Sequence, residues 1–241
     1  MSLVATACQH DLDEIDGIFY NGDGRKVHCG ANLDDRSRNS IDSIDSALDR
    51  AAAEGEVVEL YAHNPGVSVP VSRLEHVLER ARTLELPFVT YADFAAGGGT
   101  GAGLALAFDD AFVQAWTDLR PLLQSYGARV TFFVSRYPAL DLEQRAQLRQ
   151  LADDGHDIAA HSILHLRAPT YVEDNGLATY LDDEVVPSIE LLREAGFPVT
   201  AFAYPFGART SEIDDAILEH VPIVRSVAFS YYGTVQSPCP N

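Results

Sequence analysis

Hydrophobic and polar positions along this chain follow two alternating periods. Short apolar runs at 57–63, 88–91, 104–108, 129–134, 156–160, 201–204 and 223–230 read as strands, and several are bounded by Gly, Pro or Asn. Between them, apolar residues recur three or four positions apart. Ile41, Ile44, Leu48, Ala51 and Ala52 mark a helix over 40–54 that stops at Gly55. Helices are likewise expected over 71–84, 112–126, 142–155, 179–196 and 211–220. A short strand is expected at 25–31 and a polar loop at 32–39. Residues 1–24 are polar and acidic, carry the turn signal Asn21-Gly22-Asp23-Gly24, and read as a loosely held arm. The Gly-rich stretch 95–103 precedes a strand rather than a helix, which favours a flexible connector over a phosphate cradle.

Strands alternating with helices of this length predict an α/β chain with a parallel sheet or barrel. No fixed-period repeat and no linker divides it, so 25–241 reads as one domain. In such folds ligands sit at the C-terminal ends of the strands. His63, Asp110, His161 and Pro205 all fall at such ends, which gives them one shared address.

Composition narrows the function. The chain has 36 Asp and Glu against 17 Lys and Arg, a net charge of −19, which argues against nucleic acid as a partner. No stretch is long and apolar enough to predict a membrane span. None of the three cysteines lies in a CxxC pair, which disfavours a structural zinc site. Cys8 follows Val4-Ala-Thr-Ala, small residues that resemble the end of a bacterial lipoprotein signal. That makes Cys8 a candidate for a lipid anchor, against the plain alternative of a small-residue N-terminus.

The chemistry concentrates in Phe108-Asp109-Asp110 and in His161-Ser-Ile-Leu-His165. Asp110 with His161 and His165 offers one carboxylate and two imidazoles, a donor set that suits Zn²⁺ or another divalent first-row metal ion. Asp109 remains as a spare carboxylate to act as base. Each element has a simpler reading alone: Asp-Asp before a helix is commonly a cap, and HxxxH is a weak signal. Their joint placement at strand ends is stronger.

Four segments then carry a resemblance. Leu104-Ala-Leu-Ala-Phe-Asp-Asp, Val130-Thr-Phe-Phe-Val, Gly155-His-Asp-Ile-Ala-Ala-His-Ser-Ile-Leu-His and Ala203-Tyr-Pro-Phe-Gly207 resemble, in order, the TFDD, ATFF, HSxxH and RxPYG segments of the polysaccharide deacetylase family (NodB homology, carbohydrate esterase family 4). The resemblance implies a distorted (β/α) barrel and a metal-dependent hydrolase that removes acetyl groups from carbohydrate. It implies Asp109 as catalytic base and Asp110, His161 and His165 as metal ligands. Ser162 would orient the histidine loop, and the backbone N–H near Phe206 would face the oxyanion, with Tyr204 and Tyr61 in the substrate pocket. The lipoprotein-like stretch at Cys8 gives the expected location: secreted, periplasmic or lipid-anchored at the bacterial envelope.

The family's general acid is a His in an LxH segment far downstream, and only 34 residues follow Gly207 here. The stretch 55–66, with Tyr61-Ala-His63, and the stretch 86–94 resemble that missing end of the domain. A circular permutation is therefore expected, with 25–95 corresponding to the family's C-terminal part and 104–235 to its N-terminal part. His63 becomes the general acid; its alternative role is to hold the Asn-Pro-Gly turn. New termini at one cut would lie close together, which gives a Cys29–Cys239 disulfide a physical basis, against two free thiols.

The departures are specific. The family Arg that orients the base is Ala203 here, and Arg209 is the candidate replacement. The family's fourth-motif Asp and Trp have no clear match; Asp34 or Asp35 lies in the corresponding permuted region, and Trp116 reads as packing. His156 reads as structural, and His76 and His220 as solvated or packed. Loss of the Arg favours a rival reading, a catalytically silent carbohydrate-binding or envelope protein on the same fold. Hydrolysis of a non-sugar C–N bond is a further alternative.

Overall fold

A computed structural model describes residues 11–228. Seven strands run parallel and close on themselves: β2 (Val27–Asn32), β3 (Val57–Ala62), β4 (Gly103–Asp110), β5 (Thr131–Val134), β6 (Asp157–Ala160), β7 (Ala201–Ala203) and β8 (Ile223–Val227). Around the ring the order is β3, β2, β8, β7, β6, β5, β4 and back to β3. The expected distorted (β/α) barrel is therefore the fold. β2 meets β3 only at Ala31–Leu60 and Asn32–Tyr61. The wedge left below is filled by β1 (Phe19–Tyr20), which pairs antiparallel with Val57 and Val58.

Period-2 alternation sorts the strand residues. On β4, Leu104, Leu106 and Phe108 face the outer core under the helices, while Ala105 and Ala107 face the lumen. Five lumen positions, Ala105, Ala107, Ala159, Ala201 and Ala203, are alanine. Their small size makes room for large inward side chains from the other strands, notably Tyr61, Phe133 and Arg225.

Several local expectations change. Residues 12–20 are not a loose arm: Leu12, Ile18 and Phe19 are buried, and the segment completes the barrel wall. The apolar run at 88–91 is not a strand. Thr90 and Asp93 form a reciprocal capping box, so the chain turns at once into α3 (Tyr91–Ala95), leaving one bridge from Phe88 to Leu104. The outer helices α1 (Ile41–Glu54) and α2 (Val71–Thr83) follow their predicted spans. The helix expected over 112–126 is two, α4 (Val113–Asp118) and α5 (Arg120–Ser125), with Pro121 in the first turn of the second. After α6 (Leu142–Asp153) come α7 (Ala168–Asn175) and α8 (Leu177–Tyr180). The run expected at 179–196 then passes through a π turn, Leu181–Val185, before α9 (Val186–Glu194). Pro187 has no N–H to donate one turn back, which favours widening there. The last helix is α10 (Ser211–Ile217).

Cys29 is buried on β2 and disulfide-bonded. Cys8 and Cys239 both lie outside the described residues, so the Cys29–Cys239 pairing does too, as does the anchor expected at Cys8. No helix among the described residues is long and apolar enough to cross a membrane.

Candidate active site

The C-terminal ends of the strands surround a cavity of about 630 Å³. His63, Asp109, Asp110, His161, His165, Tyr61, Tyr204 and Phe206 all line it. The sequence spread these residues over 146 positions, and barrel closure brings them to one mouth.

Adjacent carboxylates on a strand would normally point to opposite faces. Asp109 keeps the strand conformation and faces the lumen, almost fully buried. Asp110 ends the strand at φ 84°, in the left-handed region. Its Oδ1 lies 3.0 Å from His165 Nε2 and 3.6 Å from His161 Nε2. Tetrahedral ligands at ordinary zinc distances are separated by about 3.3 Å. The three candidate ligand atoms all lie within 4.8 Å of one another. His161 Nδ1 stands 2.8 Å from the carbonyl oxygen of Ala203, which only accepts. Nδ1 therefore carries the proton, and Nε2 presents a lone pair towards Asp110 in the neutral ring. The residues fit a divalent metal in spacing, donor type and tautomer.

Backbone strain gathers at this mouth. Asp110, Ser162, His165 and Phe206 all have positive φ, between 60° and 84°. Non-glycine residues held this way are costly and concentrate at functional sites. Ser162 Oγ accepts the N–H of His165 at 3.0 Å. The Phe206 ring packs edge-on to His165, with centroids 4.7 Å apart. The turn also needs Gly207: its φ is 64°, and a Cβ there would stand 2.3 Å from Val227.

Burial would raise the Asp110 carboxyl, but when His161 and His165 are protonated, their hydrogen bonds and positive charge hold it far below the usual range. Burial would likewise lower His63. Its hydrogen bond to Asp34 outweighs that, together with the negative charges of Asp109, Asp34 and Asp110, and the imidazole is pushed up to about 8. The His63 Nδ1 contact with Asp34 Oδ2 is short, and the backbone N–H of His63 also donates to Asp34 Oδ1 at 3.2 Å. Ser68 Oγ donates to that same oxygen at 2.8 Å. Of the two candidates, Asp34 is the His63 partner; Asp35 pairs with Arg73 on the rim. Trp116 does more than pack, since its Nε1–H donates to the His63 carbonyl at 3.1 Å.

One expectation fails. Arg209 does not reach Asp109; it pairs with Asp214, as does the Tyr204 hydroxyl at 2.8 Å. Asp214 belongs to α10, so Arg209 and Tyr204 fasten that helix to the site wall. Asp109 is instead held by Arg225 on β8, whose Nη2 stands 2.6 and 2.5 Å from its two oxygens. Arg225 is fully buried between the rings of Tyr61 and Phe133, 4.7 and 4.9 Å from its guanidinium carbon. It pairs in register with Ala203 across β7 and β8. Sequence reasoning missed it, though a lone Arg inside the apolar run Ile223-Val-Arg-Ser-Val was a signal.

At the strand ends of this barrel a carboxylate and two imidazoles form a group that could hold a metal ion, with a second carboxylate and a His–Asp pair beside them. The polysaccharide deacetylase family model matches residues 97–220, more than half of the chain, and the chain belongs to that family. It is 33% identical over 118 residues to a gellan lyase from a Bacillus species, covering 47% of this chain and 4% of that protein. A polysaccharide deacetylase from Bacillus cereus shares its fold with a TM-score of 0.57 at 17% identity, covering 70% of this chain and 57% of that one. A Streptococcus pyogenes deacetylase solved with acetate gives 0.56 at 15% identity, over 76% and 97%. The chain thus spans a small part of the gellan lyase and just over half of the Bacillus cereus structure.

Proposed function

We propose that this protein is a metal-dependent deacetylase that hydrolyses acetyl groups on a carbohydrate, N- or O-linked. The single observation that carries this reading is the convergence of both halves of the chemistry on one cavity. Asp110, His161 and His165 form the candidate ligand set, while Asp109 and His63 face the same space with partners of opposite charge character. Zn²⁺, or another divalent first-row ion held by those three residues, would supply Lewis acidity towards the acetyl carbonyl.

The protein's own groups divide the remaining work. Arg225 holds Asp109 in orientation through both of its oxygens, so that it takes a proton from the attacking water. His63, held protonated by Asp34, gives a proton to the departing nitrogen or oxygen. The backbone N–H of Phe206, in a turn fixed by Gly207, faces the developing oxyanion. Tyr61 and Tyr204 wall the cavity.

The same reading includes a circular permutation. The family match begins at residue 97, yet His63 and Asp34, which complete the cavity, lie before it. β3 and β4 are full neighbours in the closed barrel, so a chain cut elsewhere could still form this wall. A re-permuted chain that starts near residue 104 and joins the present ends should fold and keep activity. We also place the protein outside the cytoplasm, on the strength of the disulfide at Cys29.

The test is acetate release by the Zn²⁺-loaded protein from acetylated chito-oligosaccharides and from acetylxylan. Turnover that is lost with a chelator and restored by metal is the expected result. Zn²⁺ binding at the three ligands without turnover on any acetylated glycan would favour the silent carbohydrate-binding reading, because the ligand set alone does not require catalysis.

A further inference from the structure

The π turn at Leu181–Val185 carries a fully buried carboxylate, Glu184, that the proposed mechanism does not use. Its Oε2 accepts the backbone N–H of Leu164 at 2.9 Å. Leu164 lies between the two histidines of the candidate ligand set, and its own side chain is exposed. Its place in the loop is thus set by its backbone rather than by apolar packing. The loop is strained on both sides of that N–H, with Ser162 at φ 67° and His165 at φ 63°. It gains a second internal tie where the His165 N–H meets Ser162 Oγ. The other oxygen of Glu184 has no hydrogen-bond partner, and neither does the buried hydroxyl of Tyr180 one turn earlier. Burying a carboxyl group for one backbone contact is expensive, so stability alone does not account for it. A π turn inside a helical run commonly marks a functional position. Here the widened turn before Pro187 points an acidic side chain across 20 residues of sequence into the histidine loop.

We propose that Glu184 is a positioning residue for metal binding. It anchors the Leu164 N–H so that the loop holds His161 and His165 at ligand distance from Asp110. The inference rests on the metal-centre reading above, and it assigns to that centre a brace from α9's π turn that lies outside the motif-bearing strands.

The test measures Zn²⁺ affinity of the apoprotein by competition with a chromophoric chelator, independently of turnover. Glu184→Leu fills the same space, removes the acceptor and takes away a buried polar group with an unpartnered oxygen. Its apoprotein should melt no lower than the parent, while Zn²⁺ binds about 10- to 100-fold more weakly. Amide exchange at Leu164 should quicken in that variant. Glu184→Gln keeps an acceptor oxygen and should bind close to the parent. Tyr180→Phe, a neighbouring buried change that removes a hydroxyl with no hydrogen-bond partner, should leave affinity unchanged. Parent-like Zn²⁺ affinity in Glu184→Leu overturns the inference, as does equal weakening in Tyr180→Phe. If the parent itself binds no Zn²⁺, it is the metal-centre reading that falls, and the two failures are told apart by the parent measurement alone.

Discussion

The barrel holds a histidine–carboxylate pair at each end, one open to the cavity and one buried. At the open end, His63 and Asp34 lie on the cavity wall, with the imidazole 28% exposed. At the closed end, His28 Nδ1 meets Glu59 Oε1 at 2.9 Å, and both side chains are fully buried. The Tyr91 hydroxyl donates to the other Glu59 oxygen at 2.7 Å, and Phe94 stacks on His28 with centroids 4.5 Å apart. Tyr20 and α3 complete the plug. The chemical types match, so residue identity alone does not separate an acid–base pair from a structural one. Access to substrate does. A perturbed ionisable group becomes a catalytic candidate only when a reacting atom can reach it.

The largest effects should therefore fall on the open end. Asp109→Asn should lower kcat by about 10²–10⁴-fold with Zn²⁺ affinity retained, because it removes the base and spares the ligands. His63→Ala should cost a comparable factor on amide substrates. A smaller loss on esters carrying good leaving groups would sharpen the acid assignment, since those need less protonation of the leaving atom. If Asp109→Asn keeps parent turnover, Asp109 is not the base and the open end has been misread.

Arg225→Ala comes next. It leaves Asp109 buried without its cation, and misorientation of a base on this scale costs about 10²-fold. Because Ala203 and Arg225 pair in register, the double change Ala203→Arg with Arg225→Ala returns a guanidinium to the lumen from the neighbouring strand. Partial recovery of kcat is expected. A double variant no better than Arg225→Ala would mean that Arg225 serves the core rather than the base.

These residues also show what the sequence could reveal. The parallel barrel was legible because its strands keep period 2 and its helices period 3.6, and those signals are local. Asp110, His161 and His165 were legible because metal chemistry needs few residue types at short spacing. Arg225 was missed because its role depends on which strand follows which around the ring, and strand order is a long-range property. The choice of Asp34 over Asp35 was open for a related reason: it depends on which side of a turn faces His63. The arm at 12–20 looked polar overall, yet three buried residues, Leu12, Ile18 and Phe19, decide its fate.

A subtler change tests the tuning of the open pair. His63 acts as an acid only while protonated, so turnover should be full at lower pH and fall as pH rises through about 8. Asp34→Asn keeps an acceptor oxygen but removes the negative charge that helps to keep the proton on His63. The alkaline limb of kcat should then move to lower pH, towards the ordinary histidine value. Both proteins are compared under the same metal loading, so the displacement of the limb is the readout. An unmoved limb would assign it to some other group.

The smallest catalytic effect is expected at the closed end. Glu59→Ala strands His28 Nδ1 and the Tyr91 hydroxyl in the core, costing about 1–3 kcal/mol for each group left unsatisfied. Tm should fall by about 5–15 °C for a domain of this size. The kcat of the protein that remains folded should stay at the parent value. Arg225 makes this more than a control. It pairs in register with His28 on one side and with Ala203 on the other, so it stands where the two ends of the barrel meet. If Glu59→Ala lowered kcat while Tm held, the plug would be acting on Asp109 through Arg225. The barrel would then carry one connected network rather than a reactive end and an inert one.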